Sequence, residues 1–199
     1  MPIRLPTEER QAAIVAAALR LARDASPALI TTGEIASAVG VTQGAVFRHF
    51  PSKDAIWLAA MGWVRETLLA RLDAAIGEAG SPLQALSAMF QAHVDFVIAH
   101  PGVPRFIFHE LQQPADSPAK QEVRAVLQAY RQRLLNLLGQ AVARRQLAAD
   151  LDREAAATAF VGLVQGLVMQ SMLTDRPESM REQAGRVLAL YLRGLGNAP

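Results

Sequence analysis

The chain is 199 residues long, contains no cysteine and carries a net charge of +2. Hydrophobic residues make up 51% of it, which suffices for a buried core and excludes an intrinsically disordered chain. The absence of cysteine excludes disulfides and thiolate metal sites. The charge excess lies wholly in residues 1–53, with six basic and four acidic side chains, so charge gives only weak support to a nucleic-acid partner.

The N-terminal residues contain no apolar stretch of signal-peptide length, and we expect a cytoplasmic protein. The most apolar stretch covers residues 155–173. Gly162 and Gly166 have the spacing found where membrane helices pair, but polar residues interrupt the stretch and charged residues flank it. We therefore predict a buried helix of a soluble protein and no membrane partner.

Helix-forming residues dominate the chain and alternating β-branched runs are absent, which predicts an all-α protein of about nine helices. The first helix is predicted to be capped by Thr7 and to end near Ser26. Further helices are predicted over residues 32–39, 43–49, 52–79, 119–145, 150–173 and 177–195. Two more are predicted between residues 79 and 119. One lies between the breaks at 80–82 and 101–102, and a shorter one runs from the second break to residue 112. We predict two domains, a DNA-binding domain over residues 1–52 and a ligand-binding and dimerisation domain over 53–199.

Residues 31–56 predict a helix-turn-helix. Thr31 and Glu34 have the spacing of a capping box, Gly40 supplies a left-handed turn, and Thr42 caps the next helix. The predicted core between the two helices consists of Ile35, Ala36, Val39 and Val46, together with Phe47 or Phe50. In a DNA-binding helix-turn-helix this geometry places the start of the second helix in the major groove. The alternative for this segment is a plain helical hairpin with well-made caps.

The chemistry of the second helix suits that placement. Gln43 can form two hydrogen bonds with the edge of an adenine, and Gly44 and Ala45 allow the backbone to approach the bases. Threonine hydroxyls, His49 and Lys53 can bind phosphate oxygens. The predicted DNA contacts are Thr31, Thr32, Thr42, Gln43, Gly44, Ala45, Phe47, His49 and Lys53. Two of these have structural alternatives, because Thr31 can act as a helix cap and Phe47 as a core side chain.

This segment resembles the TetR family of transcriptional regulators. The matching residues are Thr31, Thr32, Ile35, Ala36, Gly40, Val41, Gly44, His49, Phe50, Ser52 and Lys53. The resemblance implies that the first three helices bind DNA, that the fourth links the domains, and that the last two form the four-helix bundle of a dimer. The chain departs from the family at Gln43, where lysine is common, at Ala45, which lacks a hydroxyl, and at Phe47, which replaces a tyrosine.

The remaining helices are predicted to hold a ligand and a dimer interface. The candidate pocket residues are Met61, Trp63, Phe90, His93, Phe96, Val97, Phe106, His109 and Met169, and each has the alternative of being plain core. His93 and His109 would orient the ligand, and they lack the spacing and the third ligand of a metal site. The candidate interface residues are Gly162, Leu163, Gly166, Leu167, Val187, Leu188, Tyr191 and Leu195, with packing inside one chain as the alternative.

We predict a ligand-responsive repressor that binds a palindromic operator in double-stranded DNA as a homodimer. A small apolar or aromatic effector would release it, and no cofactor or metal is predicted. An enzyme is the first alternative, but the chain has no phosphate-binding glycine loop, nucleophile elbow, metal triad or cysteine nucleophile. A protein-binding adaptor is the second, and it would be indifferent to DNA.

Overall fold

The computed structural model describes residues 6–196, which form nine α-helices and no strand. The helices are α1 Thr7–Leu21, α2 Thr32–Ala38, α3 Gln43–Phe47, α4 Lys53–Gly77, α5 Pro82–Ala99, α6 Gly102–Gln112, α7 Pro118–Ala143, α8 Arg153–Thr174 and α9 Ser179–Gly194. This confirms the all-α prediction. The outer ends of the two predicted domains, residues 1–5 and 197–199, lie outside the described residues.

The described chain divides into two compact units. The first unit extends to residue 66 and also includes residues 100–124, so it combines α1, α2 and α3 with the start of α4, with α6 and with the first turns of α7. The second unit contains residues 67–99 and those from 125 onward. The segment 1–52 falls within the first unit, but that unit also takes in α6, which packs against α1. The predicted boundary between residues 52 and 53 stays a prediction.

The first unit is built on the buried face of α1. Ile14, Ala17 and Ala18 are fully buried there, and α2 packs against both α1 and α3. Burying these apolar side chains stabilises helices that are too short to be stable alone. Further along the unit, Trp57 of α4 stacks on Phe106 of α6 with ring centroids 4.6 Å apart.

Both predictions for the ends of α1 were wrong. Pro6 occupies the N-cap position without a side-chain capping bond, and Thr7 is the first helical residue rather than the cap. At the other end α1 stops at Leu21, five residues before Ser26. The amide of Asp24 there donates to the carbonyl of Leu21 at 3.1 Å. Such bonds between residues three apart tighten the last turn and end the regular helix.

The second unit is built around aromatic side chains, with α5, α8 and α9 packed against one another. Phe160 of α8 makes edge-to-face contacts with Phe90 and Tyr191, with centroid distances of 5.3 Å and 5.6 Å. The hydroxyl of Tyr191 donates to the carbonyl of Ala156 at 2.9 Å, and burial raises the pKa of Tyr191 to about 12. This hydrogen bond satisfies a polar atom within an otherwise apolar cluster.

Helix α8 is the one helix of residues 6–196 that is long and apolar enough to cross a membrane by length and composition. The core helix of a soluble protein meets the same criteria, and they are weak evidence when one helix meets them. Phe160, Val164, Leu167 and Val168 of this helix are buried within the unit. Packing within the unit therefore explains the apolar character of one face of α8.

The start of α6 lies in backbone contact with the end of α1. A Cβ atom added to Gly102 would lie 1.9 Å from the carbonyl oxygen of Leu19, a distance that no real side chain occupies. Glycine at this position therefore follows from the close approach of the two helices.

We expect Gly102→Ala to destabilise the protein by about 1–3 kcal/mol, because the added methyl forces α6 away from α1. Denaturant unfolding followed by circular dichroism measures the effect. The matched control is Gly62→Ala in α4, where a Cβ would meet no atom within 4 Å and where alanine should stabilise the helix by up to about 1 kcal/mol. Equal stability of Gly102→Ala and the wild type would mean that the contact is not kept in solution.

Candidate nucleic-acid interface

The capping box at the start of α2 is confirmed. The Thr31 hydroxyl accepts a hydrogen bond from the Glu34 amide at 3.1 Å, and the Glu34 carboxylate accepts from the Thr31 amide at 2.7 Å and from its hydroxyl at 2.8 Å. These bonds, the backbone one first, lower the pKa of the Glu34 carboxyl. Thr31 therefore acts as a helix cap, and its DNA contact stays a prediction.

The tight turn between α2 and α3 also has the predicted geometry. Gly40 has a φ of +68°, in the left-handed region that favours glycine. The amide of Val41 donates back to the carbonyl of Ala36 at 3.0 Å, and the Thr42 hydroxyl accepts from the Ala45 amide at 3.2 Å. Both helices of the motif thus begin at a threonine cap.

Four apolar side chains lie under the turn and hold the helices together. They are Ile35, Ala36, Val46 and Phe50, all buried. Phe47 is 46% exposed, so its interpretation as a core side chain was wrong, and Phe50 closes the core instead. An exposed aromatic ring on this short helix is available to a partner.

The outward face of the motif contains the start of α3. Thr42, Gln43 and Gly44 are exposed, while Thr32 and Ala45 are half-buried. The Gln43 side-chain Nε2 donates to the Thr32 hydroxyl at 2.7 Å. Both residues were predicted DNA contacts, but the bond between them was not predicted. Thr32 and Gln43 are each the first residue of a helix, and this shared position is the feature of the sequence that could have indicated the bond.

Lys53 and His49 flank this face, and each makes a contact that the sequence did not reveal. The Lys53 ammonium donates to the carbonyl oxygen of Ala28 at 2.9 Å and lies 3.5 Å from that of Pro27, so it ties the start of α4 to the loop after α1. The carbonyl of His49 accepts from the Gln11 side chain at 3.3 Å. Its ring Nδ1 is buried without a partner among residues 6–196.

The candidate pocket residues lie in both units. Met61, Trp63, Phe106 and His109 belong to the first unit, and Phe90, His93, Phe96, Val97 and Met169 to the second. Met169 is 47% exposed, while Met61, Phe90, Phe96, Val97 and Phe106 are buried. The first unit also has a groove of about 290 Å³, lined by residues of α4 and of the segment 110–119, that contains none of the predicted pocket residues.

His93 has a specific polar partner in the second unit. Its Nδ1 lies 3.1 Å from the hydroxyl oxygen of Tyr130, and the two rings are 5.2 Å apart. Burial lowers the pKa of His93 to about 4 and raises that of Tyr130. Both side chains are therefore neutral at physiological pH. Whichever of the two donates the hydrogen bond between them, the pair retains one further donor and one further acceptor.

Among residues 6–196 no three side chains are placed to hold a metal ion.

The candidate interface residues divide into two groups. Leu167, Leu188, Tyr191 and Leu195 are buried within their own unit, whereas Leu163, Gly166 and Val187 are half-buried and Gly162 is exposed. Gly162 and Gly166 belong to a longer row on α8, of which Ala155, Ala159 and Leu173 were not predicted. Ala155, Ala159, Gly162, Gly166, Met169 and Leu173 recur every three or four residues, and all but the half-buried Gly166 are exposed. We call these six residues the α8 stripe.

Two family models match the chain. Residues 14–60 match the model of bacterial regulatory proteins of the tetR family, and residues 109–186 match a tetracyclin repressor-like C-terminal domain. The first match contains the helix-turn-helix described above, and the second contains α7, α8 and part of α9.

Individual proteins with the same features are distant in sequence. The nucleoid occlusion factor SlmA of Shewanella putrefaciens is 23% identical over 146 residues, which cover 73% of this chain and 74% of that protein. The structure of the fatty acid degradation regulator FadR of Bacillus halodurans is 19% identical, with a TM-score of 0.83 over 98% of both chains. FadR of Bacillus subtilis, solved in complex with stearoyl-CoA, is 18% identical with a TM-score of 0.79 over 92% of this chain and 98% of that one.

The helix-turn-helix, the two family models and the matching folds lead to one conclusion. The chain belongs to the TetR family of DNA-binding transcription regulators, which join an N-terminal helix-turn-helix to a helical, ligand-binding C-terminal domain.

Proposed function

We propose that this regulator is a cytoplasmic, non-enzymatic repressor that binds a palindromic operator as a homodimer and is released by a small, largely apolar effector. The observation that carries the proposal is the outward face of α3. Gln43 and Gly44 are exposed there at the start of α3, and the caps and the core fix the geometry of α2 and α3. A surface of this kind can read base edges.

The predicted contacts have different tasks on DNA. The Gln43 carboxamide would read an adenine, and the Ala45 methyl and the exposed Phe47 ring can contact a thymine methyl group. Thr32, Thr42, His49 and Lys53 would bind the phosphate backbone and carry little sequence information. Base preference should therefore depend on α3, while the salt dependence should depend on the cationic side chain.

We expect Gln43→Ala to reduce base preference at one operator position by roughly 5- to 100-fold, since a bidentate base contact is lost. Lys53→Ala should weaken binding to every duplex and lower the slope of log K against log salt by about 2, because the dimer loses one phosphate contact from each of its two copies. Titration of the upstream DNA of the gene and of random duplexes by fluorescence anisotropy, at several salt concentrations, measures both effects.

Arg144→Ala is the control, because it removes an exposed cation of the second unit. Thermal unfolding of the Lys53→Ala protein shows whether the loss of its bond to Ala28 destabilises the fold. Wild-type protein that binds upstream and random DNA equally at moderate salt would refute specific repression. Identical effects of the two substitutions would refute the division of tasks.

A second copy of this chain would cover the α8 stripe. The stripe has the 3–4 spacing of helix-packing positions, and its two glycines allow close approach. Leu173, at 79% exposure, would be costly to leave in water along a continuous apolar surface. A two-fold pair brings identical surfaces together, as closed homodimers require, and it supplies two helix-turn-helix motifs for a palindrome.

We expect Gly162→Glu to convert the dimer to a monomer. Light scattering after gel filtration should then give a molar mass of 21.4 kDa. A Cβ at Gly162 meets no atom of its own chain within 4 Å, so the change should leave the fold intact and act only on the partner. Gly77→Glu at the end of α4 is the control, because it also has free space and lies off the stripe. A Gly162→Glu protein that stays dimeric would place the interface elsewhere.

Release by an effector requires that the effector prefer one of two conformations. The buried aromatic side chains of the second unit favour an apolar molecule, and the neutral His93–Tyr130 pair can orient its uncharged polar group. Because His93 carries no charge at physiological pH, the pair offers a carboxylate no ion pair to offset the cost of removing its charge from water.

We expect wild-type protein to bind 1-decanol more tightly than decanoate, measured by displacement of the neutral fluorophore N-phenyl-1-naphthylamine. Tyr130→Phe should reduce this preference roughly 2- to 10-fold, the range for one lost hydrogen bond. Tyr191→Phe is the control, because the hydroxyl of Tyr191 already bonds to Ala156. Equal preferences in Tyr130→Phe and the wild type would exclude the pair from ligand binding.

A further inference from the structure

One hydrogen bond joins the two helices of the motif on the side that faces away from the core. The Gln43 Nε2 atom donates to the Thr32 hydroxyl oxygen at 2.7 Å, across eleven residues of sequence. Gln43 is exposed and Thr32 is half-buried. The buried contacts of Ile35, Ala36 and Val46 already hold the helices together, so the bond mainly affects the direction of the Gln43 side chain.

The acceptor of this bond is held more firmly than its donor. Thr32 is the first residue of α2, inside the Thr31–Glu34 capping box and directly after its Thr31 cap, and a threonine side chain has few rotamers. Gln43 follows the Thr42 cap, so its backbone is fixed too, but its long side chain has many rotamers when it is free. The Thr32 hydroxyl therefore restrains a side chain that would otherwise sample many directions.

The bond leaves intact the groups that Gln43 needs for base recognition. A carboxamide has two N–H groups and one acceptor oxygen, and Thr32 takes one N–H. The second N–H and the oxygen are the pair that binds the ring nitrogen and the amino group of adenine in the major groove. The Thr32 hydroxyl also keeps its own proton, which can be donated to a phosphate oxygen.

We propose that Thr32 is a positioning residue that sets base preference through Gln43. Its hydroxyl orients the carboxamide toward adenine and joins base recognition to the register of the protein on the phosphate backbone. This inference rests on the proposed DNA-binding function. A lysine at position 43 could also donate to Thr32, but it has no acceptor and could not make the paired contact with adenine.

The test uses the full-length protein and an operator selected by the wild type from a pool of random duplexes. Kd is measured for this operator and for duplexes in which each A·T pair is replaced by G·C, at one salt concentration. Thr32→Val removes the hydroxyl and keeps the shape, and Thr32→Ser restores the hydroxyl. Both are also made in a Gln43→Ala background, and thermal unfolding shows that each variant is folded.

We expect Thr32→Val to lower the preference for A·T at one position roughly 3- to 10-fold, as loss of a preorganising contact does, and Thr32→Ser to restore most of it. In the Gln43→Ala background, Thr32→Val should not change base preference further. A Thr32→Val protein that binds all duplexes more weakly by one common factor would overturn the inference and leave the proposed function standing. Failure of the wild type to enrich any sequence would overturn both.

Discussion

The recognition surface depends on the side-chain oxygens that bind the free amides at the starts of two very short helices. Helices of seven and five residues have almost no stability of their own, because nucleation costs more than a few hydrogen bonds return. The hydroxyls of Thr31 and Thr42 supply the missing acceptors, and burial of Val46 and Phe50 supplies the packing. Without both, the start of α3 would have no defined direction.

The second unit solves a different physical problem. Its core contains two tyrosines among phenylalanines, and the half-buried His93 lies beside one of them. The polar atoms of these side chains must find a partner or meet water. Tyr191 bonds to a backbone carbonyl within α8, whereas Tyr130 and His93 bond to each other. The first arrangement serves the fold alone. The second leaves one donor and one acceptor unused, and on this ground we propose that it contacts a ligand.

Sequence reasoning succeeded where the determinants were local. The capping box, the Gly40 turn and the Thr42 cap each depend on residues within five positions of one another, and all three are present. The first helix shows the limit even there. A threonine followed by two glutamates reads as a cap, but Pro6 takes that position and Thr7 begins the helix.

The contacts that sequence reasoning missed join distant residues. Neither the bond from Gln43 to Thr32 nor that from Lys53 to Ala28 follows from periodicity, because each depends on how helices cross. The dimer prediction had a related difficulty. An apolar residue such as Leu188 has the same spacing whether it packs within its own chain or against another, and only burial separates it from Leu173.

The contact between Gly102 and Leu19 has a mechanical consequence. Side chains usually separate packed helices and can rearrange when one helix moves, but here the backbone of α6 meets a carbonyl of α1 directly. No flexible group lies between them to absorb a displacement. If α6 shifts toward α1, α1 must shift with it, and α1 contributes the buried face on which α2 rests.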